Sequence, residues 1–259
     1  MILITSLLAV SVDWLVQYVP FEMEQTLAQS LVAEIDDKPG EVDAYLQSLA
    51  DRITPYMDLP EDMHISVHYV NRDIVNAMAT LGGHVLVYRG LLEKLPDENS
   101  LVMLLGHEIG HIKQRHPIKA LGKGVVIGLA LTATLGQSAD SVSGLIGNAS
   151  SLTMLGFSRD QEQASDEEGI RALNAYYHNV HSATRLFEIF KNEQQKDGFD
   201  VPEFLSSHPD TRARIDFLNR LAASEHWKRQ GVSRPIPEAI VRKLEQDRTQ
   251  AEQEKEAEK

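Results

Sequence analysis

His107, Glu108 and His111 stand in the order His-Glu-x-x-His. On a helix, residues four apart share a face, so both imidazoles can reach one metal ion while Glu108 sits beside them. Two neutral imidazoles are zinc ligands, and a carboxylate next to them is placed as a general base. Zinc held this way lowers the pKa of a water to about 7. Glu108 would take the proton as that water attacks an amide carbonyl, then pass it to the leaving nitrogen.

A catalytic zinc site needs a third protein ligand and one open position. The chain has no cysteine, which excludes thiolate zinc sites, disulfides and cysteine nucleophiles. Its ten histidines must supply any nitrogen ligands. The segment Ser158 to Asp166 offers Glu162, with Asp166 one turn on as an acceptor that would orient a ligating histidine. Glu167 and Glu168 are rival ligands. His208, just before Pro209 and a helix expected over Arg212 to Leu221, is either a simple cap or a polar group facing the metal.

The elements that must position these groups follow from periodicity. Leu101, Val102, Leu104, Leu105, Ile109 and Ile112 repeat with helical spacing around the motif, and Asp97 is its expected N-cap. Gly106 and Gly110 are poor helix formers, and their small size would let another backbone come close to the metal. His116-Pro117 is expected to close this helix. Upstream, helices are expected over Pro20 to Ile35 and Glu41 to Met57, with Asp37 to Gly40 as the turn between them. Alternating patterns over Met63 to Val70, Ile74 to Thr80 and His84 to Tyr88 read as an antiparallel meander, followed by a short helix over Gly90 to Leu95. An exposed strand edge can hold an extended peptide by backbone hydrogen bonds. Asn76 and Ala77 fall on the strand expected above the metal, the alternative for Asn76 being a solvent-facing position.

The chain has 259 residues, 42% hydrophobic, enough for one packed domain or two small ones. The formal net charge of −13 argues against a nucleic-acid partner. Residues 1–19 are apolar but too short to span a bilayer and lack the basic start of a signal peptide. They read as the end of a membrane anchor, with Trp14 and Tyr18 at the interface, or as a buried helix. Residues 121–157 are apolar and rich in small side chains. They suggest a helical hairpin that packs on the site helices or leans on a membrane, or else ordinary core helices. A helix over Ile170 to Lys191 and a polar loop over Asn192 to Val201 follow. The division expected is an amino-terminal segment (1–19), a main domain (20–234) and a charged tail (235–259). The tail has no core-forming face after Leu244 and is expected to be solvated or disordered.

Four segments together resemble the CAAX-endopeptidase/HtpX class of zinc metallopeptidases, the gluzincins. They are Asn76-Ala77 with Gly82-Gly83; His107 to His111 with Arg115-His116; Ser158-Arg159 with Glu162 and Asp166; and Ser207-His208-Pro209 with Arg214-Ile215. They cover roughly residues 17 to 222, and the pattern looks most like the bacterial-envelope, BepA/LoiP/YcaL-like branch. The resemblance implies a mainly helical α+β zincin fold, with a small antiparallel sheet beside the motif helix. It implies one Zn2+ per chain on His107, His111 and Glu162, Glu108 as base, Asp166 as orienting acceptor, Arg214 as a supporting charge, and Arg159 as an anchor of the Glu162 helix. His208 would be a fourth ligand that holds the enzyme latent, or a donor to the oxyanion. The multi-span membrane core of the prenyl-protein proteases is absent, so CAAX processing is not expected. The implied activity is endoproteolysis of protein or peptide substrates, namely misfolded or misassembled envelope proteins, in a periplasmic, membrane-associated setting. The membrane contact would run through the amino terminus or residues 121–157. The alternative is a zinc-fold chaperone or assembly factor that acts by binding clients.

Overall fold

The computed structural model of the protein describes residues 12, 14–32, 39–135, 156–189, 208 and 211–257. The apolar residues 1–11, the first half of the expected turn at 37–40, the latter part of the apolar 121–157 segment, the loop at 192–201, and Ser206, Ser207, Pro209 and Asp210 lie outside the described residues.

Helices α1 (Phe21–Val32) and α2 (Glu41–Ile53) lead into strands β1 (Ser66–Val70), β2 (Ala77–Ala79) and β3 (His84–Tyr88). Helix α2 is shorter than its apolar pattern suggested. Pro55 has no N–H to donate to Asp51 C=O, so the α-helical ladder stops, and a 3-10 turn over Thr54–Tyr56 takes over. The expected turn at Leu81–Gly83 forms, with both glycines at positive φ (72° and 89°). The remaining helices are α3 (Arg89–Leu92), α4 (Glu98–Lys113), α5 (His116–Leu135), α6 (Arg159–Tyr177), α7 (Thr211–Ser224) and α8 (Glu238–Ala257).

The three strands form a mixed sheet, not the antiparallel meander the alternation suggested. The order is β1-β3-β2, with β1 parallel and β2 antiparallel to β3. After β1 the chain crosses the carboxyl end of β3, where Gly90 N–H donates to Arg72 C=O (3.2 Å), and returns on the far side as β2. Alternation fixes which face of a strand is buried, not which strand lies beside it. One consequence is that β2 is an edge strand.

Helix α4 carries the motif and is buried from Glu98 to Ile112. Asp97 caps it as expected, accepting from Ser100 N–H at 2.8 Å. Its second carboxylate oxygen accepts the hydroxyls of Ser182 and Ser233, so the cap also ties down two later segments. Around α4 pack Leu46 and Leu49 of α2, Val85 and Val87 of β3, Ile170 and Leu173 of α6, Leu218 of α7, and Ile240 and Leu244 of α8. The charged tail is therefore a docked helix rather than a solvated end. Ile240, Leu244 and Asp247 form one buried stripe, and Tyr69 O–H donates to the Asp247 carboxylate (3.1 Å).

His116-Pro117 opens α5 instead of closing α4. The chain breaks at Arg115, which adopts a left-handed φ of 58°, and Pro117 suits the first turn of the new helix. Arg115 pairs with Glu24 and donates to Val16 C=O (3.2 Å) and Val19 C=O (2.6 Å), fastening the amino-terminal segment to this corner. There Val12 and Val16 pack with Leu81, Ile118 and Leu121, while Trp14, Leu15 and Tyr18 remain exposed.

Helices α4 and α6 cross in close backbone contact, as the motif glycines suggested. A Cβ on Gly106 would stand 2.9 Å from Gly169 Cα, and one on Gly169 would stand 3.0 Å from His107 N. Alanine normally stabilises a helix by up to about 1 kcal/mol over glycine. Gly169→Ala is expected to do the reverse here, lowering stability by about 1–3 kcal/mol through overpacking. Thermal unfolding checks the sign of the change.

Candidate metal centre

The α4–α6 crossing brings the site together. His107 and His111 lie one turn apart on α4, and their Nε2 atoms are 3.1 Å from each other. Glu162, in the first turn of α6, brings Oε2 to 3.7 Å from His107 Nε2 and Oε1 to 3.6 Å from His111 Nε2. Ser158 and Gln161 form a capping box that fixes where α6 begins, and so where Glu162 falls. His208 enters from the segment before α7, with Nδ1 3.0 Å from Glu162 Oε1 and 3.3 Å from His107 Nε2. All four residues are buried, and one ligand atom from each lies within 4.8 Å of the others. Ligands about 2.0–2.1 Å from a tetrahedral ion stand about 3.4 Å apart, so nitrogen and carboxylate donors at these spacings fit a zinc-like cation.

Glu167 and Glu168, the rivals of Glu162, are turned elsewhere. Glu168 pairs with Lys113 and Glu167 with Arg171.

The charges around the cluster are arranged to keep the ligands usable. Asp166 Oδ1 is 3.0 Å from His107 Nδ1, which places the proton of that ring on Nδ1 and leaves Nε2 for a metal. Arg214 forks onto Asp166 through Nε (2.8 Å) and Nη2 (2.7 Å), and its Nη1 lies 2.6 Å from Glu162 Oε2. With Oε2 so engaged, Oε1 is the oxygen left toward His111 and His208. Burial alone would raise the Asp166 pKa, but Arg214 and the hydrogen bond to His107 outweigh it and bring it to about 2. Glu162 is likewise lowered against its burial, by His208 and Arg214. His111 is pushed far down by burial and by the neighbouring His107 and His208, which favours the neutral imidazole a metal requires. His208 moves the other way: the carboxylates of Glu162 and Glu108 overcome its burial and raise its pKa.

Glu108 is fully buried beside the cluster. Its Oε2 accepts Ala79 N–H at 2.7 Å, while Oε1 has no hydrogen-bond partner among the described residues and lies 3.9 Å from His208 Nε2. The Ala79 bond identifies the outward edge of β2. Backbone groups of Asn76 and Thr80 pair with β3, so those of Ala77 and Ala79 face away from it, toward the site. The Asn76 side chain is not on a solvent face. It is buried, and neither its oxygen nor its nitrogen is hydrogen-bonded among the described residues.

Two further residues stand against the cluster without a role that the sequence pattern assigns. His116 Nδ1 lies 2.9 Å from His111 Nδ1 and is buried; burial and Lys119 lower its pKa to about 3. Phe157 stacks on the His111 ring, with centroids 4.0 Å apart. Histidine five residues after His111 was the available signal for the first.

A buried helix-borne His-Glu-x-x-His, a glutamate brought in by a second helix, and a strand edge beside Glu108 are the parts from which two-histidine, one-glutamate metallopeptidase sites are built. Residues 41–222 match the model of peptidase family M48, and the chain belongs to that family. It is similar to the beta-barrel assembly-enhancing protease of Yersinia pestis, at 28% identity over 59% of this chain and 34% of that protein. The protein of the same name from Escherichia coli K12 is 26% identical over 68% of this chain and 38% of its own length. The mitochondrial metalloendopeptidase OMA1 of Arabidopsis thaliana is 29% identical over 61% and 32%. The matches thus span about a third of each relative's length.

Proposed function

We propose that this chain is a zinc-dependent endopeptidase. The carrying observation is the buried convergence of His107, His111 and Glu162 beside Glu108, which has one oxygen anchored and the other unpaired among the described residues. His107, His111 and Glu162 would hold the ion, a donor set of neutral imidazoles and carboxylate that suits zinc. Bound there, zinc supplies a Lewis acid that polarises the scissile carbonyl and acidifies water. Glu108 Oε1 takes the proton of the attacking water and returns it to the leaving amide nitrogen. The Ala79 N–H bond keeps the carboxylate from rotating between those two tasks. An extended substrate would add as a strand to the outward edge of β2, against Ala77, and the unbonded Asn76 amide would donate to its backbone. Asp166 and Arg214 hold the ligands in orientation.

His208 acts as a latch in this reading. It lies among the ligands and faces Glu108, so as a fourth donor it fills the position an active site must keep open. Cleavage of unfolded casein tests the activity and the latch together. Chelation should abolish cleavage and zinc should restore it. His208→Ala should then raise the basal rate, by tenfold or so if the latched form holds about nine molecules in ten. A clear fall in rate would instead make His208 a donor to the oxyanion.

The substrates proposed are misfolded or misassembled proteins of a bacterial envelope, in keeping with the relatives named for beta-barrel assembly. Exposed Trp14, Leu15, Tyr18 and Met23 on the amino-terminal side support contact with a membrane surface. Among the described residues no helix is long and apolar enough to cross one. The word "assembly-enhancing" in the relatives' name favours one second reading, a factor that acts by holding clients.

A further inference from the structure

His107 and His111 are held by different kinds of partner. His107 has the Asp166 carboxylate at 3.0 Å, whereas His111 has another imidazole, with Nδ1 facing Nδ1 of His116 at 2.9 Å. Two ring nitrogens this close need one proton between them: one donates and the other accepts. His111 Nε2 faces His107 Nε2 at 3.1 Å and Glu162 Oε1 at 3.6 Å, on the side where a metal would sit. A metal there takes the Nε2 lone pair, so the His111 proton must be on Nδ1. His116 Nδ1 must then be the acceptor.

We infer that His116 is a positioning residue: as the neutral tautomer protonated on Nε2, it accepts the Nδ1–H of His111 and fixes the ring for metal binding. The inference rests on the metal reading of the site. The fold supports it in two ways. The left-handed turn at Arg115 starts α5 at His116, and the new helix direction brings that ring back against His111. Both imidazoles are buried, so water does not compete for the contact. Phe157 covers one face of His111, which leaves that ring bounded by the metal position, by His116 and by an aromatic wall. A neutral acceptor raises the basicity of a ligand less than a carboxylate does. His111 is therefore the weaker of the two histidine ligands, and His116 sets how weak.

Zinc affinity, measured by competition with a chromogenic chelator, tests this without reference to catalysis. His116→Leu, which fills the space but accepts nothing, should weaken zinc binding about 10- to 100-fold. His116→Asn, whose amide oxygen can stand where Nδ1 stands, should stay close to wild type. Equal affinity in wild type and His116→Leu overturns the inference while leaving the metallopeptidase reading intact. A wild-type chain that binds no zinc overturns both. A second measurement needs no variant. In the zinc-loaded wild-type protein with 15N-labelled histidine, the inference requires a protonated Nδ1 on His111 and an unprotonated Nδ1 on His116. A His116 protonated on Nδ1 rejects it.

Discussion

Glu108→Gln is expected to abolish peptide-bond cleavage while the protein still binds its metal. The two carboxylate oxygens of Glu108 have different surroundings, and the substitution separates them. Oε2 accepts Ala79 N–H at 2.7 Å, a bond that a glutamine oxygen can also make, so β2 should keep its place. Oε1 has no partner among the described residues and is the atom proposed as the base. An amide at that position cannot take a proton. The loss expected is the contribution of a positioned general base, about 10²- to 10⁴-fold in rate. Glu108 supplies no ligand atom to the cluster of His107, His111, Glu162 and His208, so one equivalent of metal should remain. Casein cleavage and metal content on the same preparation decide the matter. A variant that cleaves at the wild-type rate removes Glu108 from the chemistry, and one that loses its metal as well makes Glu108 structural. The same variant separates the two functional readings, because a client-holding factor should work without a base.

What the sequence revealed and what it hid divide along the range of the interactions. Asp97, the apolar repeat and the two histidines lie within one helix, and a period of 3.6 residues locates all of them. The glycines of α4 also signalled the close approach of α6, because a missing Cβ has a geometric meaning without knowledge of the partner. The choice among Glu162, Glu167 and Glu168 needed the rotation of α6 against α4, which is tertiary. Outside the family resemblance, nothing local distinguishes a carboxylate aimed at a metal from one paired with Lys113 or Arg171. The sheet departs from a meander for a related reason, since strand alternation is blind to the order of neighbours. In the carboxyl-terminal helix the third member of the buried stripe is Asp247, satisfied by Tyr69. A search for apolar residues alone ends at Leu244 and misses the docking. His-Pro is a breaker pair, so the sequence presents His116 as punctuation, and only the turn at Arg115 shows where its ring is sent.

Arg214→Met should be the most destabilising of these substitutions, and its effect should depend on the metal. Arg214 is buried and bonds two carboxylates, Asp166 through Nε and Nη2 and Glu162 through Nη1. Its guanidinium also lies over the Phe187 ring, 4.6 Å from the centroid. Methionine restores much of the volume but leaves two buried carboxylates without their cation. Removing one partner of a buried ion pair costs about 3–5 kcal/mol. In a chain of this size that is a fall of about 10 °C in Tm. Zinc held by His107, His111 and Glu162 would oppose the loss, because its positive charge would offset the uncompensated carboxylates. The drop should therefore be larger in chelator than in zinc, and the gap between the two melts should be wider for Arg214→Met than for wild type. Arg214→Lys should fall between them, since one ammonium cannot reproduce the fork to Asp166 and also reach Glu162. Equal drops with and without zinc would mean that Arg214 braces α6 against α7 and does not act on the ligands. A zinc-dependent drop ties the guanidinium to the metal centre through the two acids it holds.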